Sequence, residues 1–136
     1  MLKQVFINVP VKDLEKTKAF WTALGFSFNP QFTDSTAACL LLGENIFAML
    51  LTYETMKRFT KKTIADATQT TEAINALGGE SREEVDTIVT KAIAAGGKET
   101  RPAEDVGWMY SRSFEDLDGH QWEVLYGDMS KLPAKQ

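Results

Sequence analysis

The stretch Phe114-Glu115-Asp116-Leu117-Asp118-Gly119-His120-Gln121-Trp122-Glu123-Val124-Leu125 decides how this chain is read. Asp118-Gly119 is a pair suited to turning a β-hairpin, because glycine takes positive φ without steric cost. A strand follows it. Gln121, Glu123 and Leu125 share one face of that strand, and Trp122, Val124 and Tyr126 share the other. The Trp-Val-Tyr face reads as buried sheet surface. Glu123 then has to meet water, a partner or a ligand, because an unpaired buried charge is costly.

Working outward, the pattern before this hairpin occurs twice. Gln4 to Val11 is apolar and β-branched and reads as a strand. Leu14, Thr17, Phe20, Trp21 and Leu24 fall at helical spacing within Asp13 to Leu24. Asp13 is the expected N-cap and Gly25 the stop. Strands are expected at Ser27 to Phe32, Ala37 to Leu42 and Ile46 to Thr52. The second half repeats the order. Glu72 to Gly78 reads as a strand, and Ser81-Arg82-Glu83-Glu84 as a capping box. A helix then runs to Ala95, with Gly96-Gly97 behind it. Three strands follow at Glu99 to Glu104, Trp108 to Phe114 and Gln121 to Tyr126.

Both halves therefore read β-α-β-β-β, with eight strands in all. The last hairpins superpose when Gly43 to Leu50 is laid over Asp118 to Leu125, which sets Ala48 on Glu123. Residues 1–52 form the first module and 72–136 the second. Between them, 53–71 reads as a short helix (Tyr53 to Phe59) and a polar linker or lid. The expected class is α+β: tandem βαβββ modules forming a cupped, mostly antiparallel sheet with helices outside.

Composition narrows the function. The chain has 136 residues, 43% of them hydrophobic and 25% charged, which is ordinary for a globular protein. A net charge of −4 argues against a nucleic-acid partner. The basic cluster Lys57, Arg58, Lys61 and Lys62 reads as a solvated helix end. The single cysteine, Cys39, forms no disulfide within the chain and reads as a small core residue. No apolar run reaches the ~18 residues of a membrane span, and no leader pattern opens the chain. A cytoplasmic protein with no membrane partner is expected.

The repeat, the run Val11-Lys12-Asp13-Leu14-Glu15-Lys16-Thr17-Lys18-Ala19-Phe20-Trp21 and the closing Asp116-Leu117-Asp118-Gly119-His120-Gln121-Trp122-Glu123 resemble the vicinal oxygen chelate superfamily. That superfamily includes glyoxalase I, the extradiol dioxygenases, fosfomycin resistance enzymes and bleomycin resistance proteins. The resemblance covers about residues 3 to 127. It implies a homodimer and a divalent metal held by the first and last strands of each module. Carried over, those positions fall on Phe6, on Ala48, on Ala76 or Leu77, and on Glu123. One of the four is a ligand type, so no complete metal site and no other cofactor are expected. His120 does not replace a missing ligand, since three residues' separation sets it on the opposite strand face from Glu123.

What remains is a cleft lined by Phe6, Asn8, Ala48, Trp108, Tyr110, Arg112 and Glu123. Along residues 108–113 alternation leaves two sets open: Tyr110 with Arg112, or Met109 with Ser111. An aromatic cleft with one carboxylate suits a cationic or hydroxyl-bearing organic molecule. The expected function is metal-independent binding of such a molecule. The alternative is a metal-dependent lyase or dioxygenase of the glyoxalase I type.

Overall fold

The computed structural model describes residues 1–135. The chain divides into two compact units after Ala67. Each is a mixed sheet with one long helix.

In the first unit, β1 (Val5–Val11) leads into α1 (Leu14–Ala23). Asp13 caps α1 by accepting from the Lys16 N–H at 3.1 Å. Leu14, Thr17, Phe20 and Trp21 are its buried residues, one stripe at helical spacing. β2 (Ser27–Asn29) follows, then β3 (Ala37–Gly43) and β4 (Ile46–Thr52). The expected strand from Ser27 to Phe32 stops at Asn29. Pro30 has no N–H for the ladder and opens a single 3-10 turn instead. The sheet order is β1-β4-β3-β2. β1 pairs with β4 in parallel, and the other pairs are antiparallel. The face bearing Val9, Val11, Ala38, Leu40, Ala48 and Leu50 is buried with Phe20 and Trp21. Cys39 is buried too, and burial pushes its thiol pKa up. A single helical turn, α2 (Tyr53–Met56), is capped by Thr52. It is shorter than the expected helix to Phe59.

The second unit has β5 (Ile74–Gly78), α3 (Arg82–Ala94), β6 (Lys98–Glu99), β7 (Glu104–Asp105), β8 (Met109–Glu115) and β9 (Gln121–Gly127). Ser81 caps α3 by accepting from the Glu84 N–H at 3.0 Å. Glu84 reaches back as a capping-box residue does, but to the Glu80 N–H at 2.8 Å. β5 pairs in parallel with β9, which pairs antiparallel with β8. Nine strands are present among the described residues rather than the expected eight. The strand expected at Glu99 to Glu104 is broken into β6 and β7, with Thr100-Arg101-Pro102-Ala103 between them. No helix among the described residues is long and apolar enough to cross a membrane.

The β8–β9 turn is larger than the Asp118-Gly119 pair alone. It spans Asp116 to His120, with Gly119 at φ +85°, where a side chain would be strained. The buried carboxylate of Asp116 organises it. That group accepts from the Asp118 and His120 N–H groups, each at 3.0 Å, and from Trp122 Nε1–H at 2.9 Å. Burial raises the Asp116 pKa, against His120 and these donors, which lower it. One carboxylate thus ties the turn to the largest core side chain of the second unit. Asp116→Ala removes the acceptor of the buried indole N–H and of two part-buried backbone N–H groups. The expected loss is about 1–3 kcal/mol of unfolding free energy, measured by urea denaturation.

Candidate functional site

In the second unit, register decides which side chains share a face. Ser113 pairs with Glu123, Ser111 with Leu125, and Ala76 with Glu123. Directly paired residues project to the same side. Glu123 therefore stands with Ser111, Ser113 and Ala76 on the face away from α3. Trp122 and Val124 occupy the other face, fully buried.

The break between β6 and β7 furnishes the rest of the site. Glu99 pairs with Phe114 and Glu104 with Ser111. Four residues, Thr100 to Ala103, thus lie opposite only Arg112 and Ser113. Pro102 cannot donate to a ladder, and the extra residues bulge. Thr100 Oγ1 and Ser113 Oγ are 2.6 Å apart across the bulge. Arg101 reaches over the sheet. Its guanidinium lies 3.1 Å from Glu123 Oε1 and 3.2 Å from Glu104 Oε2, and donates to Ser111 Oγ at 3.5 Å. The site is a small polar floor: Ser111 and Ser113 are buried, and Glu123 is half-buried above them beside a cation. Sequence alone did not single out Arg101. Pro102 inside a nominal strand was the available signal.

Several expected cleft residues lie elsewhere. Tyr110 and Arg112 are on the α3 side. Tyr110 Oη donates to Asp86 at 2.6 Å, which together with burial pushes the phenol pKa up. Arg112 donates to Glu99 at 2.6 and 3.0 Å, to Asp86 at 3.2 Å and to Thr90 at 3.3 Å. Both residues fasten α3 to β8. Of the two sets left open, Met109 and Ser111 share the Glu123 face. Trp108 precedes β8. Its carbonyl accepts from the Asp128 N–H at 2.6 Å, and its ring stands over Gly127.

In the first unit, Phe6 stacks on Phe47 with centroids 4.7 Å apart, and Asn8 pairs with Met49. Ala48 is on the opposite face, paired with Ile7 and fully buried. It lines nothing. The superposition of the two hairpins slips by one residue. The first turn holds only Glu44-Asn45 and follows a register shift between Leu41 and Gly43, whereas the second turn has five residues. A slip of one exchanges the two faces of a strand. Met49, beside Asn8, occupies the place assigned to Ala48. Of the pair Ala76 or Leu77, Ala76 is the one on the Glu123 face.

The family model of the glyoxalase/bleomycin resistance protein/dioxygenase superfamily matches residues 3–124. The chain belongs to that superfamily. Solved structures of similar fold include a hypothetical protein from S. aureus, 30% identical. That match covers 93% of this chain and 95% of the other, with a TM-score of 0.76. A glyoxalase-related enzyme from Fulvimarina pelagi is 21% identical over 93% and 89% of the two chains, with a TM-score of 0.77. The fosfomycin resistance protein FosX of Listeria monocytogenes, in a complex with Mn(II) and sulfate, is 24% identical. It aligns over 93% and 92% of the two chains, with a TM-score of 0.66. Among curated proteins none matches.

Taken by itself, neither unit brings together, among its described residues, the donors of a complete divalent-metal site. Glu123 already holds Arg101, whose guanidinium also engages Glu104, and the groups directly paired with Glu123 are the methyl group of Ala76 and the hydroxyl of Ser113. In the first unit, the corresponding face offers Asn8, Met49 and the buried thiol of Cys39, with no carboxylate or imidazole beside them. Divalent cations of the Mg, Mn or Zn type need several such ligands converging on one point. Among the described residues no three His, Cys, Asp or Glu side chains converge in that way.

Acid should reveal an ion pair on the α3 side of the same sheet. Arg82 holds Asp105 through two hydrogen bonds of 2.7 and 3.0 Å, and the Gly107 N–H adds one of 2.9 Å. These contacts lower the Asp105 pKa from 3.8 to about 2. The folded state thus favours the charged form. The contribution is complete above the ordinary value and fades as pH falls through the window from about 4 to about 2. Between about pH 5 and pH 2.5, Asp105→Asn should lose less of its urea midpoint than the parent chain does.

Proposed function

We propose that the protein binds a small hydroxyl-bearing or cationic organic molecule on the Glu123 face of its second unit, without a complete metal site. The Arg101–Glu123 pair over Ser111 and Ser113 carries this reading. A carboxylate accepts up to about four hydrogen bonds. Arg101 uses one oxygen, so Glu123 keeps acceptor capacity for a ligand hydroxyl or ammonium. The hydroxyl of exposed Thr100 adds a polar group on the same face, while the buried Ser111 and Ser113 brace Arg101 and Thr100 from below. With Arg101 opposed by Glu123 and Glu104, the local balance is one negative charge, which favours a neutral polar or cationic guest over an anion.

The tethered guanidinium is also what a metal would have to displace. A divalent cation held by one freed carboxylate and water binds weakly, because no further protein ligands exclude the remaining waters. Protein purified without chelator is expected to carry well under one equivalent of Mn, Zn, Ni or Fe by elemental analysis. Glyoxalase activity, a metal-assisted proton transfer, is expected to be absent. Sedimentation equilibrium is expected to show a homodimer.

Glu123→Gln separates the readings. The pair is partly exposed, with side chains 37% and 22% accessible, and such pairs contribute about 0–1 kcal/mol. The variant should therefore stay within about 1 kcal/mol of parent stability and bind small hydroxylated amines more weakly, read by ligand-observed NMR. Stoichiometric metal, lost together with activity in Glu123→Gln, would restore the metal-dependent enzyme.

A further inference from the structure

The basic cluster of the first unit has no part in the Glu123 site. Lys57 closes α2, and Lys61 and Lys62 follow in the loop. A solvated helix end explains lysines near exposed carbonyls. It does not explain their convergence. Lys57, Lys61 and Lys62 line one hollow of about 500 Å³ with Tyr53, Thr60, Thr63 and Ile64. That volume lies inside the roughly 300–1,000 Å³ range of small-ligand pockets. The Lys62 N–H donates to Thr60 Oγ1 at 3.1 Å and fixes the turn that carries two of the lysines.

None of the three ammonium groups joins an ion pair among the described residues. The chain carries 19 acidic residues, more than its 15 basic ones, yet the walls of this hollow hold no acid. Three like charges around one concavity raise its potential and favour an anion there. Lysines bind phosphate as compact point charges with rotatable donors, without the bidentate fork of arginine. Thr60 and Thr63 add hydroxyl donors. Tyr53 and Ile64 supply an apolar wall that a bare inorganic ion does not use.

We propose that the hollow over residues 53–64 binds a small organic phosphate, its phosphoryl oxygens held by Lys57, Lys61 and Lys62. This site is independent of the reading given for Glu123. The test is calorimetric titration of the full chain with phenyl phosphate at low salt, with phenol as the control for the ring alone. Phenyl phosphate should bind at one site, and phenol should not bind. Lys61→Ala and Lys62→Ala should each weaken binding about tenfold, the loss of one charge-assisted hydrogen bond. Arg58→Ala removes the same charge from a residue outside the lining and should change affinity less than about twofold, the effect of a screened distant charge. Glu123→Gln should leave the titration unaltered. Absence of phenyl phosphate binding at millimolar concentration overturns the proposal. So does an equal loss in Arg58→Ala and Lys61→Ala, which would mean a diffuse basic field rather than a built site.

Discussion

The Glu123 face of the second sheet depends on the pairing of Ser113 with Glu123. That register puts the carboxylate over two buried serines and, one residue on, seals Trp122 in the core. A slip by one residue would drive Glu123 under α3 and turn the indole out to water. Losing a buried Trp costs about 3–5 kcal/mol, and burying an unpaired carboxylate costs several more. The register is held from both faces at once. Asp116 reinforces it, since its carboxylate bonds the turn and the indole together. The position of Glu123 is thus a consequence of core packing as much as of its own contacts.

What could be read without coordinates was what is local. Asp13 and Ser81 announce their helices by cap chemistry, and β4 falls on its expected bounds because Gly43-Glu44-Asn45 and Thr52 bound an unbroken apolar run. What could not be read depends on counting across gaps. Superposing two turns of unequal length puts Ala48 on the face that pairing gives to Met49. Tyr110 and Arg112 could not be placed because alternation defines two faces without saying which is inside. Trp122 settles that only through its pairing with Phe114. Arg101 lay in a nominal strand, and the four-against-two mismatch that lifts it out arises from pairing with β8, not from its own neighbours.

Arg101 also bears on how one fold carries many chemistries. A guanidinium placed against Glu123 offsets its charge from within the chain. It offers no vacant coordination positions, and a guanidinium has donors but no acceptor to present to a substrate. On the proposed reading, a face that could have polarised a substrate becomes one that recognises hydroxyl and ammonium groups. The change needs no new element, only a bulge beside Pro102 long enough to let one side chain cross the sheet.

The parallel pairing of the first and last strands in each unit has a kinetic consequence. Val5 meets Ile46 and Ile74 meets Gln121, each across a span of about 40 residues or more. The hairpins β3–β4 and β8–β9 close over turns of a few residues. Loop-closure entropy rises with the logarithm of span, and non-local pairings form late for that reason. Each unit therefore assembles outward from its hairpin, with β1 and β5 zipping on last along the exposed rim of a preformed sheet. Until they do, β4 and β9 present bare edges carrying Phe47, Met49 and Trp122, so the nascent chain is most open to wrong pairings during that interval.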